Sequence, residues 1–228
     1  VSSSNKPLSI PVRSDFVEYM DNNMLLSLLM FEQIEKFKYE IYGKMAVGLL
    51  EVQYAGIDGE VAMPLLNGRI LAGIGGSLVK KRDVSNPLAL NNSDWSDNYT
   101  TAFVNTRLNI PELEVYVDVK AGRFLAGDKG ARVTVSKNFN GVVLSAWYSF
   151  TDTSVFSDEY NRHYHDKGIA VSIPLRLFLG RDSRVVHDFA ISPWTRDVAQ
   201  DIYHRTSLFD FIGRNAKIYL NKDKEMFE

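Results

Sequence analysis

Between residues 113 and 152 the chain alternates. In Leu113-Glu114-Val115-Tyr116-Val117-Asp118-Val119-Lys120-Ala121 every odd position is apolar, while Glu114, Asp118 and Lys120 fall on even ones. That is the period-2 pattern of a strand whose two faces meet different surroundings. Val142, Leu144, Ala146, Tyr148 and Phe150 repeat it opposite Ser145, Trp147 and Ser149. Each run lasts about ten residues, where globular strands average roughly five or six and a tilted membrane-crossing strand needs about nine to eleven.

From Leu25 the same reading predicts strands at roughly 24–35, 37–54, 59–66, 69–82, 98–110, 112–125, 129–138, 141–152, 167–179 and 184–196, with 202–212 as one more. Ahead of them, Arg13-Ser14-Asp15-Phe16-Val17-Glu18-Tyr19-Met20 offers a serine or aspartate N-cap before a short helix. Short connections (Glu35-Lys36, Leu66-Asn67-Gly68, Pro111-Glu112, Phe139-Asn140-Gly141, Gly180-Arg181-Asp182-Ser183) alternate with Ala55-Gly56-Ile57-Asp58-Gly59, residues 83–97, Leu125-Ala126-Gly127-Asp128-Lys129-Gly130 and residues 153–166. In an antiparallel meander alternate connections lie at opposite ends, so the long loops and Gly-Asp turns share one rim. Outer-membrane barrels have this asymmetry.

The faces agree. Ile169, Val171, Ile173, Leu175, Leu177 and Leu179 alternate with Ala170, Ser172, Arg176 and Phe178, and Phe37, Tyr39, Ile41, Met45 and Val47 with Lys38, Glu40, Lys44 and Ala46. Lipid would meet the first of each set and a wet interior the second. A soluble sandwich or open sheet alternates too, but strand length and loop parity favour an all-β, antiparallel up-and-down transmembrane β-barrel of about ten to twelve strands, with a short helix near the N-terminus. The first strand runs down from the outer rim, so the parity expects a further partner strand or an N-terminal segment entering as a plug. The division expected is an N-terminal segment at 1–23, barrel at 24–212 and a polar tail at 213–228.

Composition narrows the classes. A net charge of -2 and a pI near 6.1 leave no electrostatic footprint for nucleic acid. Without cysteine there are no disulfides, thiolate nucleophiles or cysteine-bound metals. No apolar run approaches the roughly eighteen residues of a membrane-spanning helix, which leaves a barrel open. Eleven tyrosines and thirteen phenylalanines against seven prolines suit strands. Val1-Ser2-Ser3-Ser4-Asn5 reads as a mature or truncated start rather than a signal peptide.

At Arg13-Ser14-Asp15, Gly48-Leu49-Leu50-Glu51, Tyr54-Ala55-Gly56-Ile57-Asp58-Gly59-Glu60-Val61, Lys81-Arg82-Asp83, Gly122-Arg123-Phe124-Leu125-Ala126-Gly127-Asp128-Lys129-Gly130-Ala131, Phe150-Thr151-Asp152, Asp166-Lys167-Gly168 and Thr195-Arg196-Asp197 the chain resembles the YjbH-type exopolysaccharide biosynthesis family, which includes the GfcD protein of group 4 capsule systems. The match covers roughly residues 10–200 and is similar to the family's carboxy-terminal part. The resemblance implies a portion of a larger outer-membrane barrel of a Gram-negative bacterium, working in exopolysaccharide or capsule export with periplasmic or outer-membrane export proteins.

These motifs are rich in charge: Glu51, Glu60, Arg82, Asp83, Arg123, Asp128, Asp152, Asp166, Lys167, Arg196 and Asp197. By parity they gather near the outer rim, where they either buttress one another or form a polar constriction that a hydrated sugar chain crosses by exchanging hydrogen bonds. Tyr54, Phe124, Trp147, Phe150, Tyr160 and Trp194 read as an aromatic girdle, and those facing inward, among Tyr54, Phe124, Trp147 and Trp194, as platforms for sugar rings. His163, His165 and Asp166 hint at a metal or acid–base site but sit in a polar loop, and His187-Asp188 lacks a third partner. Glu51 with Glu60 would be the pair for glycoside cleavage, and Ser145 and Ser149 lie outside any Gly-x-Ser-x-Gly context. No catalytic residue, metal or cofactor is assigned. The expected function is a hydrophilic path for polysaccharide, the alternatives a barrel that docks export partners without conducting polymer and an envelope enzyme that modifies polysaccharide.

Overall fold

In the computed structural model the chain is described over residues 6–20, 25–91, 98–139, 141–175, 178 and 186–214. Ten strands pair in sequence order into one antiparallel meander: β1 Leu29–Lys36, β2 Tyr42–Leu49, β3 Tyr54–Leu65, β4 Ile70–Lys81, β5 Tyr99–Ile110, β6 Val115–Arg123, β7 Lys129–Phe139, β8 Val142–Asp152, β9 Lys167–Pro174 and β10 Val186–Ile191. Two helices flank them, α1 Phe16–Met20 and α2 Leu208–Arg214. Each of the ten expected strands is present. The connections β2–β3, β4–β5, β6–β7 and β8–β9 start and end at one rim, as the parity requires.

Three expectations need correction. The turn placed at Ala55–Gly59 is strand: β3 begins at Tyr54, and the chain reverses over residues 50–53. Residues 202–212 add no strand, because Leu208, Phe209 and Ile212, spaced to share one helical face, are at most 5 % exposed while Phe211 points outward at 42 %. Ser14 and Asp15 serve tertiary contacts: Ser14 Oγ accepts from Leu8 N at 3.0 Å, and Asp15 accepts from Gln53 Nε2 at 2.9 Å and from Lys81.

The sheet is inside out relative to a soluble protein. On the convex face Phe31 (61 % exposed), Ile74 (62 %), Val104 (59 %) and Ile169 (56 %) are open, while on the concave face Lys44, Asp58 and Ser149 are buried. Curvature explains the burial. The segment after β10 touches β1 through Glu32 and β7 through Arg132. In a flat sheet those strands would lie about 29 Å apart, six gaps of about 4.8 Å. Gly122, at φ 154, takes up the bend near the rim, where a side chain would lie 2.0 Å from Ala102 O.

The curve does not close. β1 pairs with β2 and β10 with β9, and among the described residues the two edges do not pair with each other. These strands form an open, curved sheet and not a closed barrel, in keeping with the expected portion of a larger one, and among the described residues both edges are open to further pairing.

Candidate functional site

The concave face is filled by two segments outside the sheet, residues 8–20 and 197–214. Near the rim Val12 packs with Leu50, Tyr54, Val79, Leu125 and Ile202, and Phe103, Phe124, Phe156, Val198 and Ala199 form a second cluster. At the far end Leu208, Phe209 and Ile212 of α2 pack on Ala62 and Leu71. Residues 8–20 and 197–214 thus act as a plug whose apolar side chains supply the core that the charged wall lacks.

Rim residues join the two parts of the plug. Asp197, wholly buried, accepts backbone N–H groups of Val12 (2.9 Å), Arg13 (2.7 Å) and Ser14 (2.9 Å) on one carboxylate oxygen, and the Asn161 amide on the other. Glu51 pairs with Arg13 through both oxygens and accepts from Tyr203 N at 2.9 Å. Burial would lower the Arg13 pKa, but Glu51 outweighs it and holds the guanidinium firmly charged. Asp128 accepts from Ala199 N at 2.8 Å, and burial pushes its pKa up to about 6. Asp166 accepts from Arg132 Nη2 and Trp147 Nε1, each at 2.8 Å, and burial raises its pKa against the pull of Arg132. Gly168 makes this possible: a Cβ there would lie 2.3 Å from the Trp147 ring.

Other expected site residues do different work. Glu60 is not at the rim; it lies mid-strand on the concave face, 3.5 Å from Lys44 Nζ. Arg82 is buried and donates to the carbonyls of Leu26 (2.9 Å), Glu51 (2.7 Å) and Pro87, which staples loops together. Asp83 and Asp152 accept local backbone N–H groups in turns. Arg123 is exposed at the end of β6. Lys167 lies 5.2 Å from the Tyr164 ring, and Arg196 lies 5.2–5.8 Å from the rings of Tyr160, Trp194 and Tyr164. Tyr54 and Phe124 cannot stack on a sugar here, because both are wholly buried beneath the plug; Trp147 faces inward and Trp194 is 61 % exposed. Ring stacking places His165 on Tyr148, 5.6 Å between centroids.

The cluster that most distinguishes this face has no motif of its own in the sequence. His204, on the plug, lies between Asp58 Oδ2 (3.1 Å) and Asp201 Oδ2 (3.2 Å), and Lys120 of β6 reaches the same Asp201 oxygen at 2.5 Å. Burial would lower the His204 pKa, but the two carboxylates outweigh it and raise it to about 9, so the ring is an imidazolium at neutral pH. Burial opposes ionisation of Asp201 too, yet Lys120 and His204 hold its carboxyl far below the usual range. Lys44 adds a bond to Thr206 O at 3.0 Å, and Arg107 joins Asp118 of the wall to Asp210 of α2, each at 2.6 Å. The period-2 pattern marks Lys44, Asp118 and Lys120 as inward. The plug groups they reach, Thr206 O for Lys44, Asp201 for Lys120 and, through Arg107, Asp210 for Asp118, sit more than eighty residues away, in or beside a segment that reads as strand.

The wall is thus charged, buried and latched to a plug by ion pairs. A family profile described as Exopolysaccharide biosynthesis protein YbjH matches residues 1–214. The chain belongs to the YjbH exopolysaccharide biosynthesis family. A relative from Escherichia coli, named "Uncharacterized lipoprotein YjbH", is 28 % identical over 202 residues, covering 87 % of this chain and 28 % of the relative. The chain therefore spans under a third of that YjbH protein's length. No solved structure matches it.

Proposed function

We infer that this chain is one portion of an outer-membrane β-barrel in an exopolysaccharide system, whose polar concave face lines a path for the polymer and whose ends form a gate. The observation that carries the reading is the inverted sheet: large apolar side chains are exposed on the convex face while charged ones are buried on the concave face. Only lipid, or protein not in this chain, makes such a convex face favourable. Strands of up to twelve residues match a bilayer crossing. Exposed Phe150, Tyr160 and Trp194 near the rim suit the lipid interface. The Escherichia coli relative is named a lipoprotein, in keeping with an envelope location. The open edges leave room for the strands that a chain several times longer supplies. No step of this function needs a catalytic residue: Glu51 and Glu60, the pair that glycoside cleavage would use, are held by Arg13 and Lys44.

A filled concave face favours a second reading, in which the barrel docks periplasmic export partners and passes nothing. Planar-bilayer conductance of the complete protein separates the two. The gate reading expects low conductance from the parent, and from Asp201→Ala a higher open probability that added exopolysaccharide blocks. Stable insertion with no conductance from either form overturns the conduit and leaves the docking barrel.

A further inference from the structure

Between the plug and strands β3–β7 lies a cavity of about 250 Å³. At ~30 Å³ per water that is room for about eight waters, or for a hexose ring with a few waters beside it. The charges around it are already matched. Asp58 and Glu60 face Lys44, Asp58 also faces His204, Asp118 faces Arg107, Lys120 faces Asp201, and Arg132 faces Asp166. A charged ligand would have to break one of these pairs, and separating a buried pair is strongly unfavourable.

What remains unmatched is neutral. Asn105, 9 % exposed, lines the cavity; its Nδ2 donates to Glu60 Oε1 at 3.5 Å and its Oδ1 has no hydrogen-bond partner. Turning the amide over would set that oxygen against the Glu60 carboxylate, so the carbonyl is the end left for a donor. Thr134 also lines the cavity, as do Ser77 and Thr101, whose hydroxyl protons are given to Asp58 and to Ser77 and whose oxygens can still accept, and Phe103 and Phe209 supply apolar ring surface. A ligand that donates and accepts through hydroxyls, carries no charge and has a CH face for an aromatic ring meets these conditions.

The geometry points to this cavity as a binding site for one neutral sugar residue, built jointly by wall and plug. The assignment rests on the polysaccharide reading above and adds to it where a sugar sits and of what charge. Because Phe209 and His204 come from the plug, the site exists only with the plug seated.

Saturation-transfer NMR tests it on the complete protein in a phosphocholine detergent, which avoids competing sugar headgroups. The probes are methyl α-glucopyranoside, methyl β-galactopyranoside and glucuronate. Expected is transfer to the CH protons of at least one neutral glycoside and not to glucuronate, lost in Asn105→Leu and in Thr134→Phe, which fills the cavity. Thermal unfolding checks that each variant folds; if Thr134→Phe does not, Asn105→Leu decides alone. No transfer to any probe, transfer undiminished in the folded variants, or stronger transfer to glucuronate overturns the assignment. Conductance of the same preparation is read separately, so a gated channel without sugar transfer removes the site and leaves the conduit.

Discussion

Asp197 Oδ1 lies 2.7 Å from the backbone nitrogen of Arg13, 184 residues earlier in the chain. One carboxylate oxygen thereby fixes the N-terminal part of the plug to the C-terminal part, with Val12 and Ser14 donating beside Arg13. Hydrogen bonds to a charged acceptor contribute roughly 1.5–3 kcal/mol each and do not simply add. Asp197→Ala should therefore lower stability by about 3 kcal/mol or more, and Asp197→Asn, which keeps an acceptor oxygen, by clearly less. Urea unfolding in micelles reads the difference; equal losses would mean that charge rather than geometry holds the joint.

His204 makes the plug sensitive to alkali. Its pKa is raised from 6.5 to about 9, so the stability it adds is complete below 6.5 and is lost as pH climbs through about 9. The groups facing it are Asp58 and Asp201, with Lys44 and Lys120 bonded to those carboxylates. Hydrogen exchange of residues 199–210 should accelerate across that window, and the step should vanish in His204→Gln.

Asp128 works in the opposite sense from most carboxylates. Burial raises its folded pKa from 3.8 to about 6, so the folded state holds a proton that the unfolded chain has released, and stability falls as pH rises through that interval. Asp128→Asn keeps an acceptor for Ala199 N and removes the penalty. Thermal midpoints of variant and parent should agree near the lower bound and diverge, variant higher, above the upper one.

Gly168→Ala should disturb a site one strand away. The added methyl would overlap the Trp147 ring and Ile191 O, and overpacking of this kind costs about 1–3 kcal/mol. Trp147 would leave Asp166, visible as a changed tryptophan emission when Trp95 and Trp194 are both phenylalanine. Unchanged emission would show that the strand gives way instead.

What could be read from the sequence follows from what is local. Alternation along Leu113–Ala121 marks Asp118 and Lys120 as inward because a strand's two faces are fixed by neighbouring residues. The rim position of Glu51, Asp128, Asp166 and Asp197 follows from loop parity alone. The glycines at 56 and 59 read as a turn and so put Glu60 at the rim, whereas in the curved sheet they continue β3 and Glu60 lies mid-strand. The latch was not legible: Asp201 and His204 acquire meaning only when the segment carrying them folds back across the wall, and Leu208, Phe209 and Ile212 suit a helix as well as a strand over so short a run. For the same reason Tyr54 and Phe124 look like surface aromatics until the plug covers them.

A convex face that meets lipid is directly measurable. The chain has no cysteine, so single nitroxide labels at Ile74→Cys and Val104→Cys on that face and at Asn105→Cys on the concave face report one site each. In liposomes of the complete protein, oxygen dissolved in the bilayer should relax the first two labels and a water-soluble nickel chelate should not, while the label at 105 is shielded from oxygen. Nickel accessibility at 74 and 104, or shielding of both from oxygen and nickel alike, would contradict it.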